Sequence, residues 1–345
     1  MDAKRQFITQ LMPGQTLDQV FLVRDKDLRT TKSGGLYLTC TLADKTGTIP
    51  ARMWQVSESI YNAIAVDGFL HVKGRVEDYK GTLQFIIDSC RPFAAEKVDL
   101  ADFLAVTKFD IEQMWAELVE ILRDVKDPKL RLLMKKFVED RDLVASFKRA
   151  PAAMSLHHPF IGGLLEHTLS VLRAARAVLP LYPSVNADLV LMGVFLHDIG
   201  KAAELTAGTS MTYTDRGQLV GHIVIAAIWV AEKASQVAAE TGEPFPQRLL
   251  DLIQHIILSH HGSTEFGSPK LPMVPEAFVV HHLDNLDAKV WMTTHAIESD
   301  PDAAASFTSF HKSLETRVYK HSNPRPARTA KAPKDDKAPR LLMDE

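Results

Sequence analysis

Histidine side chains in apolar surroundings are the first chemical signal in this sequence. Twelve of the fourteen histidines lie between His157 and His311. The segment ADLVLMGVFLHDIG ends in the pair His197-Asp198, after a nearly uncharged run that predicts a buried helix. A carboxylate buried there without a partner would be strongly unfavourable. The pattern therefore predicts that Asp198 meets a cation or a metal ion.

Further ionisable side chains interrupt similarly apolar runs on other predicted helices: His167, His222, His260 with His261, and Asp284. Imidazole nitrogens and carboxylate oxygens without thiolates suit divalent metals such as Mn²⁺, Fe²⁺, Co²⁺ or Zn²⁺. Such a metal lowers the pKa of a bound water and neutralises charge on a phosphoryl oxygen. The residue types therefore favour the chemistry of phosphoryl transfer.

The elements that must position these residues are helices. From Leu156 to about Thr316 apolar residues recur at helical spacing, and several segments are too apolar for surface helices, which predicts an all-α bundle over residues 156–320. Amphipathic spacing also predicts a helical connector at 97–155. The end of the chain, 321–345, holds four prolines, six basic and four acidic residues, and its composition predicts a disordered tail.

A different pattern precedes the helices. After an N-terminal extension, residues 1–13, five β-rich runs separated by turn residues extend over 14–96, with a short helix at 56–65 between the third and fourth runs. This order of elements is typical of an all-β OB-fold barrel. The sequence therefore predicts a chain of several domains, a barrel followed by a helical bundle.

Positive charges and aromatic rings alternate along the predicted barrel. Rings can stack on bases while cations contact phosphates, so these residues are candidates for binding a single strand: Arg24, Arg29, Lys32, Tyr37, Arg52, Trp54, Tyr79, Lys80 and Phe85. About half of the rings are expected in the barrel core, with Tyr37 and Trp54 as candidates for inward positions.

Composition narrows the class of protein. A formal net charge of −3 provides no general attraction to phosphate, so nucleic-acid binding requires a local basic surface. Cys40 and Cys90 are too few and too far apart for a disulfide framework or a cysteine-based zinc site. The sequence also lacks a secretory signal and any apolar run of membrane-spanning length. We expect a soluble, cytoplasmic protein that does not contact membranes.

The spacing of His167, His197-Asp198 and Asp284 resembles the H…HD…D pattern of the HD phosphohydrolase superfamily, and HDIGK matches its signature. More narrowly, HHPFIGGLLEHTLSV, FLHDIGK, YTDRGQLVGHI, ILSHHGSTEFGSPKLP and HHLDNLDAK resemble the YhaM family of 3′-to-5′ exoribonucleases. Those proteins also carry an OB-fold ahead of the HD domain. The resemblance extends over roughly residues 14–320 and is only architectural in the barrel.

The resemblance implies a manganese- or cobalt-stimulated exonuclease acting on single-stranded RNA. By superfamily analogy a first metal is held by His167, His197, Asp198 and Asp284, and a second by His222 and His260, with Asp198 bridging. Lys201 would face the scissile phosphate. His261 would contact phosphate or orient a ligand, and Glu166 and Asp287 would accept hydrogen bonds from ligand histidines or pair with surface cations. Asp198, Lys201 and His261 are thus the expected catalytic residues.

Two other functions remain open at this stage. The chain could hydrolyse free or cyclic nucleotides, with the barrel serving protein contacts, although the GYP tripeptide of the cyclic-di-GMP branch is absent. Alternatively, it could be a non-catalytic single-strand or tRNA-binding module, against which the intact ligand set argues. The sequence also leaves open RNA versus DNA, the metal, one ion or two, and whether the chain forms homo-oligomers.

Overall fold

The structure is a computed structural model that describes residues 5–31, 34–154, 158–206, 208, 211–300, 302 and 304–320. Lys32 and the predicted tail at 321–345 lie outside these residues. The chain divides into two compact units, residues 1–292 and 293–345. Among the described helices, none combines the length and the apolar character that crossing a membrane requires.

The N-terminal part is a closed five-stranded barrel with the strand order β1-β2-β3-β5-β4. Its strands are β1 (Thr16–Thr30), β2 (Leu36–Asp44), β3 (Gly47–Trp54), β4 (Phe69–Tyr79) and β5 (Thr82–Phe93). Strands β3 and β5 pair in parallel, whereas the other neighbours are antiparallel. Helix α1 (Glu58–Ala63) connects β3 to β4. The predicted OB-fold, with a helix after the third strand, is confirmed.

Apolar side chains from all sides of the barrel fill its interior. Phe21, Leu38 and Phe85 are completely buried, and the rings of Phe21 and Phe85 lie 6.1 Å apart. The prediction that Phe85 contacts nucleic acid is wrong, because a ring with no exposed surface in the barrel core has no face for a base.

One glycine is required for the barrel to close. The pairing of β4 with β5 shifts register between Lys73 and Gly74. A Cβ at Gly74 would lie 2.0 Å from the carbonyl oxygen of Ile86, far inside contact distance. Only glycine allows the two backbones to approach this closely at the irregularity.

A short segment between the barrel and the helices contacts both. Phe103 and Leu104 share a hydrophobic cluster with the barrel residues Leu22 and Phe69, and the rings of Phe69 and Phe103 lie 4.8 Å apart. A few residues later, the backbone N–H of Thr107 donates to the carbonyl of Ile161, just before the first helix with candidate ligands. The segment is therefore fixed at both of its ends.

The remainder of the chain is helical. The helices are α2 (Ile111–Leu122), α3 (Pro128–Val138), α4 (Arg141–Arg149), α5 (Gly163–Val178), α6 (Ala187–Leu196), α7 (Lys201–Glu204), α8 (Asp215–Val220), α9 (His222–Thr241), α10 (Gln247–Ser259) and α11 (Pro275–Ser299). Asp110, Asp127 and Asp140 cap the N-termini of α2, α3 and α4 with their side chains. These three helices, predicted as a connector, share one hydrophobic core with α5, α6, α9 and α10.

Helix α6 is the central element of this bundle. Every residue from Leu189 to Leu196 is buried, as expected for a helix that is apolar on all sides. A Cβ at Gly193 would lie 2.6 Å from Cγ2 of Ile256, so the missing side chain lets α10 pack closely. The end of α6 delivers His197 and Asp198 into the interior.

The small unit contains the end of α11 and two isolated antiparallel bridges. Phe307 pairs with Tyr319, and His311 pairs with Thr316. The ammonium of Lys320 lies 3.0 Å from Oδ1 of Asp300 within the same unit.

Candidate metal centre

Five parts of the bundle bring the predicted histidines and carboxylates together. Helix α5 supplies His167, the end of α6 supplies His197 and Asp198, α9 begins at His222, α10 is followed by His260 and His261, and α11 supplies Asp284. His167, His197, Asp198 and His260 have at most 2% of their surface exposed. These residues, up to 117 positions apart in the sequence, form one buried cluster.

His167, His197 and Asp284 form the first of two groups in this cluster. Oδ1 of Asp284 lies 3.2 Å from Nε2 of His167 and 3.9 Å from Nε2 of His197. The two Nε2 atoms are 3.3 Å apart. All three ligand-type atoms thus converge on one position.

The second group contains Asp198, His222, His260 and His261. Oδ1 of Asp198 lies 3.4 Å from Nε2 of His222 and 3.6 Å from Nε2 of His260. Its other oxygen, Oδ2, lies 3.4 Å from Nε2 of His197, in the first group. Asp198 therefore presents one carboxylate oxygen to each group.

The imidazole rings are held by their Nδ1 atoms. His197 donates to the carbonyl of Val194 and His260 donates to the carbonyl of Ile257, each over 2.7 Å. Because a carbonyl oxygen can only accept, Nδ1 carries the hydrogen in both rings. This arrangement directs Nε2 toward the carboxylates, as in metal sites whose ligand histidines are oriented by outer hydrogen bonds.

Carboxylates hold two further rings, those of His167 and His222. Nδ1 of His167 lies 2.8 Å from Oδ2 of Asp287, and Nδ1 of His222 lies 3.0 Å from Glu204. Glu204 also accepts the backbone N–H of His222. Asp287 was a candidate for this role from the sequence, whereas Glu204 was missed, because its burial becomes visible only in the structure.

Three buried polar atoms of the second group have no hydrogen-bond partner in the described part of the chain: Oδ1 of Asp198, Nε2 of His222 and Nε2 of His260. Such atoms are costly unless a further group satisfies them. Ligand atoms about 2.0 to 2.2 Å from a metal lie roughly 3 to 3.5 Å from one another, close to the separations observed here. The residues present therefore fit a divalent cation.

Electrostatics at the first group favour a cation. Burial lowers the pKa of His167, but hydrogen bonds with Asp284 and Asp287 outweigh burial and raise it to about 10. Burial raises the pKa of Asp284, yet the bond with His167 and the nearby His197 hold it well below the usual range. Burial alone dominates at His197 and lowers its pKa to about 4. The carboxylates of the site thus stay ionised although they are buried, and they attract a cation.

Lys201 forms a buried ion pair with Asp198. Its ammonium lies 2.7 Å from Oδ2 of Asp198, and its side chain is 9% exposed. Burial raises the pKa of Asp198, but Lys201 and His197 lower it below the usual range. The buried carboxylate needs a cation, and Lys201 supplies one, while its contact with the scissile phosphate stays a prediction.

His261 lies beside the second group. Its Nδ1 donates to the carbonyl of Phe266 over 2.7 Å. Burial lowers its pKa to about 3. The structure therefore brings His261 to the cluster, as the sequence predicted, in its neutral form at pH 7.

On the barrel, several of the predicted nucleic-acid contacts form one aromatic and cationic surface. Trp54 and Tyr79 are 47% and 50% exposed, and the rings of Tyr37 and Trp54 lie 5.0 Å apart. The cations of Arg52 and Lys80 lie 5.5 and 5.4 Å from the Tyr79 ring. The expectation that Trp54 points inward is wrong, since half of its surface is open.

Two other predicted barrel contacts are engaged by acidic neighbours. Arg29 forms an exposed ion pair with Asp27 at 2.8 Å. Arg24 lies 3.5 Å from Asp67. Exposed ion pairs of this kind are weak, so both arginines can exchange partners readily.

Comparison with known proteins defines the class first. Residues 164–289 match the family model described as HD domain, and residues 22–93 match the model described as OB-fold nucleic acid binding domain. The chain is therefore an HD-domain protein with an N-terminal OB-fold.

The particular family follows from relatives along most of the chain. The 3′-5′ exoribonuclease YhaM of Bacillus subtilis (strain 168) is 35% identical over 286 residues, which cover 83% of this chain and 88% of that protein. The protein of the same name from Geobacillus sp. (strain WCH70) is 36% identical over 311 residues, covering 89% and 92%. The chain belongs to the YhaM family.

Among solved structures, a domain of replication protein A from Methanococcus maripaludis is similar to part of the chain. It is 21% identical, with a TM-score of 0.23, and the match covers 26% of this chain and 93% of that domain. A likeness at this score supports no inference about function.

Proposed function

We propose that this protein is a metal-dependent 3′-to-5′ exoribonuclease that hydrolyses the phosphodiester bonds of single-stranded RNA. The observation that carries the proposal is Asp198, whose two oxygens each face a separate group of imidazole nitrogens. A carboxylate between the two groups would serve as a ligand for metal ions at a phosphoryl-transfer site. The names of the YhaM relatives support RNA as the substrate.

The proposed ligands follow the two groups. His167, His197, Asp198 and Asp284 hold the first ion, and Asp198 with His222 and His260 holds the second. Mn²⁺ is the preferred ion, with Co²⁺, Fe²⁺ and Zn²⁺ as alternatives that the same donor atoms accept.

When bound, the metal lowers the pKa of a water molecule toward neutrality and neutralises charge on the phosphoryl oxygens. The chain's own residues prepare this site. Lys201 holds Asp198 ionised and fixed in orientation at 2.7 Å. The Nδ1 bonds of the ligand rings hold Nε2 in place, so little reorganisation is needed during the reaction. His261 is the fourth member of the second group, and its side chain is only partly buried.

The exposed aromatic and cationic surface of the barrel is the proposed platform for the strand. Replacing both Trp54 and Tyr79 by alanine should weaken binding of a long RNA strand by about tenfold or more, since each base stack contributes about 1 to 3 kcal/mol. Turnover of a dinucleotide at saturating concentration should stay unchanged, because the proposed hydrolysis takes place at the metal centre and not on the barrel. Fluorescence anisotropy with a labelled strand measures the affinity.

Tyr182→Ala is the matched control, because Tyr182 is equally exposed but lies on the helical domain. Unchanged strand affinity in the Trp54/Tyr79 double variant would show that the barrel binds RNA elsewhere or not at all. In that case hydrolysis of free nucleotides becomes the better account. Comparing kcat/KM for a single strand with kcat/KM for mononucleotides and cyclic nucleotides then decides between the two functions.

A further inference from the structure

A chain of polar contacts begins in the segment between the barrel and the helices. The hydroxyl of Thr107 donates to Oε2 of Glu166 over 2.5 Å. Glu166 immediately precedes His167 on α5. Its other oxygen, Oε1, lies 3.7 Å from Nδ1 of His158.

The same contacts continue to the first group of the candidate centre. Nε2 of His158 lies 3.4 Å from Oδ2 of Asp287, and that oxygen lies 2.8 Å from Nδ1 of His167. The hydroxyl of Ser170 donates to the other oxygen of Asp287. Glu166, His158 and Asp287 therefore form an outer layer that orients His167.

The backbone at His158 supports a positioning role. Its φ of +45° lies in the left-handed region, which is strained for a residue other than glycine. The carbonyl of His158 accepts backbone N–H groups from Ala152 and Phe160, and its side chain is 4% exposed. Surrounding contacts thus hold the ring between the two carboxylates in a conformation that the isolated residue would avoid.

Thr107 connects this layer to the barrel. Four and three residues earlier, Phe103 and Leu104 pack against barrel residues, while the Thr107 N–H is bonded to Ile161. The position of the threonine hydroxyl therefore depends on contacts with both the barrel and the helical bundle.

We infer that Thr107 is a positioning residue for the metal centre, acting through Glu166, His158 and Asp287 on His167. This inference rests on the proposed function only in taking His167 as a metal ligand. Outer hydrogen bonds to ligand histidines typically change metal affinity 10- to 100-fold. Thr107 is separated from His167 by more contacts than Asp287 is. We therefore expect loss of its hydroxyl to change metal affinity by about tenfold or less.

The test compares full-length Thr107→Val with Thr107→Ser. Valine keeps the shape but removes the hydroxyl, whereas serine keeps the hydroxyl. We expect Thr107→Val to bind Mn²⁺ about 3- to 10-fold more weakly than wild type, as measured by calorimetry. The visible absorption spectrum of its Co²⁺ form should also differ from that of wild type. Thr107→Ser should behave like wild type in both measurements. Thr168→Val is the control, because that buried hydroxyl donates to the carbonyl of Leu164 within its own helix.

A double-mutant cycle separates positioning from general destabilisation. If Thr107 acts through Asp287, then Thr107→Val should weaken Mn²⁺ binding much less in the background of Asp287→Asn than in wild type. Glu166→Gln repeats the test if Thr107→Val fails to fold, because it keeps an acceptor for the threonine and removes only the charge that faces His158. Glu166→Gln should likewise weaken Mn²⁺ binding, and it should do so less in the Asp287→Asn background than in wild type.

The outcomes are distinct. Wild-type protein that binds no divalent metal would refute the proposed metal centre itself. Wild-type protein that binds Mn²⁺, together with unchanged affinity and Co²⁺ spectrum in folded Thr107→Val, would refute the role of Thr107 alone. If Thr107→Val lowers Mn²⁺ affinity equally in the wild-type and Asp287→Asn backgrounds, the positioning role of Thr107 is also refuted.

Discussion

Replacing Asp198 by asparagine should lower the single-turnover rate of RNA hydrolysis by about a thousandfold or more, equivalent to at least about 4 kcal/mol of transition-state stabilisation. Each oxygen of this carboxylate faces a different group of imidazole nitrogens, and an amide offers one neutral oxygen in place of two charged ones. Both halves of the proposed centre are therefore weakened by one substitution. Rapid-quench kinetics with an end-labelled strand measures the loss.

The control must separate catalysis from folding. Asp198→Asn leaves the buried ammonium of Lys201 without its anionic partner, and breaking a buried pair in this way costs about 3 to 5 kcal/mol of stability. The double variant Asp198→Asn with Lys201→Met removes both charges, so its melting temperature should recover while its activity does not. Asp251→Asn, an exposed carboxylate on α10, should match wild type in both measurements. A folded Asp198→Asn protein with activity near wild type would refute the assigned role.

Removing the metal should have an effect of similar size. The second group contains buried atoms with no hydrogen-bond partner in the described chain, and the first combines ionised carboxylates with buried imidazoles. We expect the chelated protein to lose all measurable RNA hydrolysis and to recover it on addition of Mn²⁺. Since an ion that binds only the folded state stabilises it, Mn²⁺ should also raise the melting temperature.

Metal analysis provides the control for this prediction and counts the ions. Wild-type protein should hold about two equivalents of Mn²⁺, whereas His222→Ala should retain about one, because His222 belongs only to the second group. Full activity in protein shown to contain no metal would refute the centre. A wild-type stoichiometry of one would refute the second ion, and an unchanged stoichiometry of two in His222→Ala would refute the role of His222.

The members of the buried cluster could be predicted from the sequence because they interrupt largely apolar runs of residues. His197 and Asp198 end a run of apolar residues, where an ionisable pair has few satisfactory roles. The order of strands and the helix before the fourth strand likewise follow from turn residues and alternation. Their action as metal ligands remains a prediction, but their convergence is now a structural observation.

Other features depend on contacts between distant positions. Glu204 bonds His222 from 18 residues away, and nothing near Glu204 in the sequence distinguishes it from a surface glutamate. Phe85 and Trp54 both occur in alternating strands, and only barrel closure turns the first inward and the second outward.

The central claim is that this protein removes nucleotides from the 3′ end of a single strand by metal-dependent hydrolysis. The most direct measurement is incubation of Mn²⁺-loaded, full-length protein with single-stranded RNA labelled at its 5′ end, beside the matching DNA and a chelated control. We expect a ladder of labelled RNA that shortens progressively from the 3′ end and is absent after chelation, and the DNA lane shows whether the enzyme also accepts deoxyribose. RNA that stays intact in the presence of Mn²⁺, or that is cut first at internal positions, would contradict the central claim.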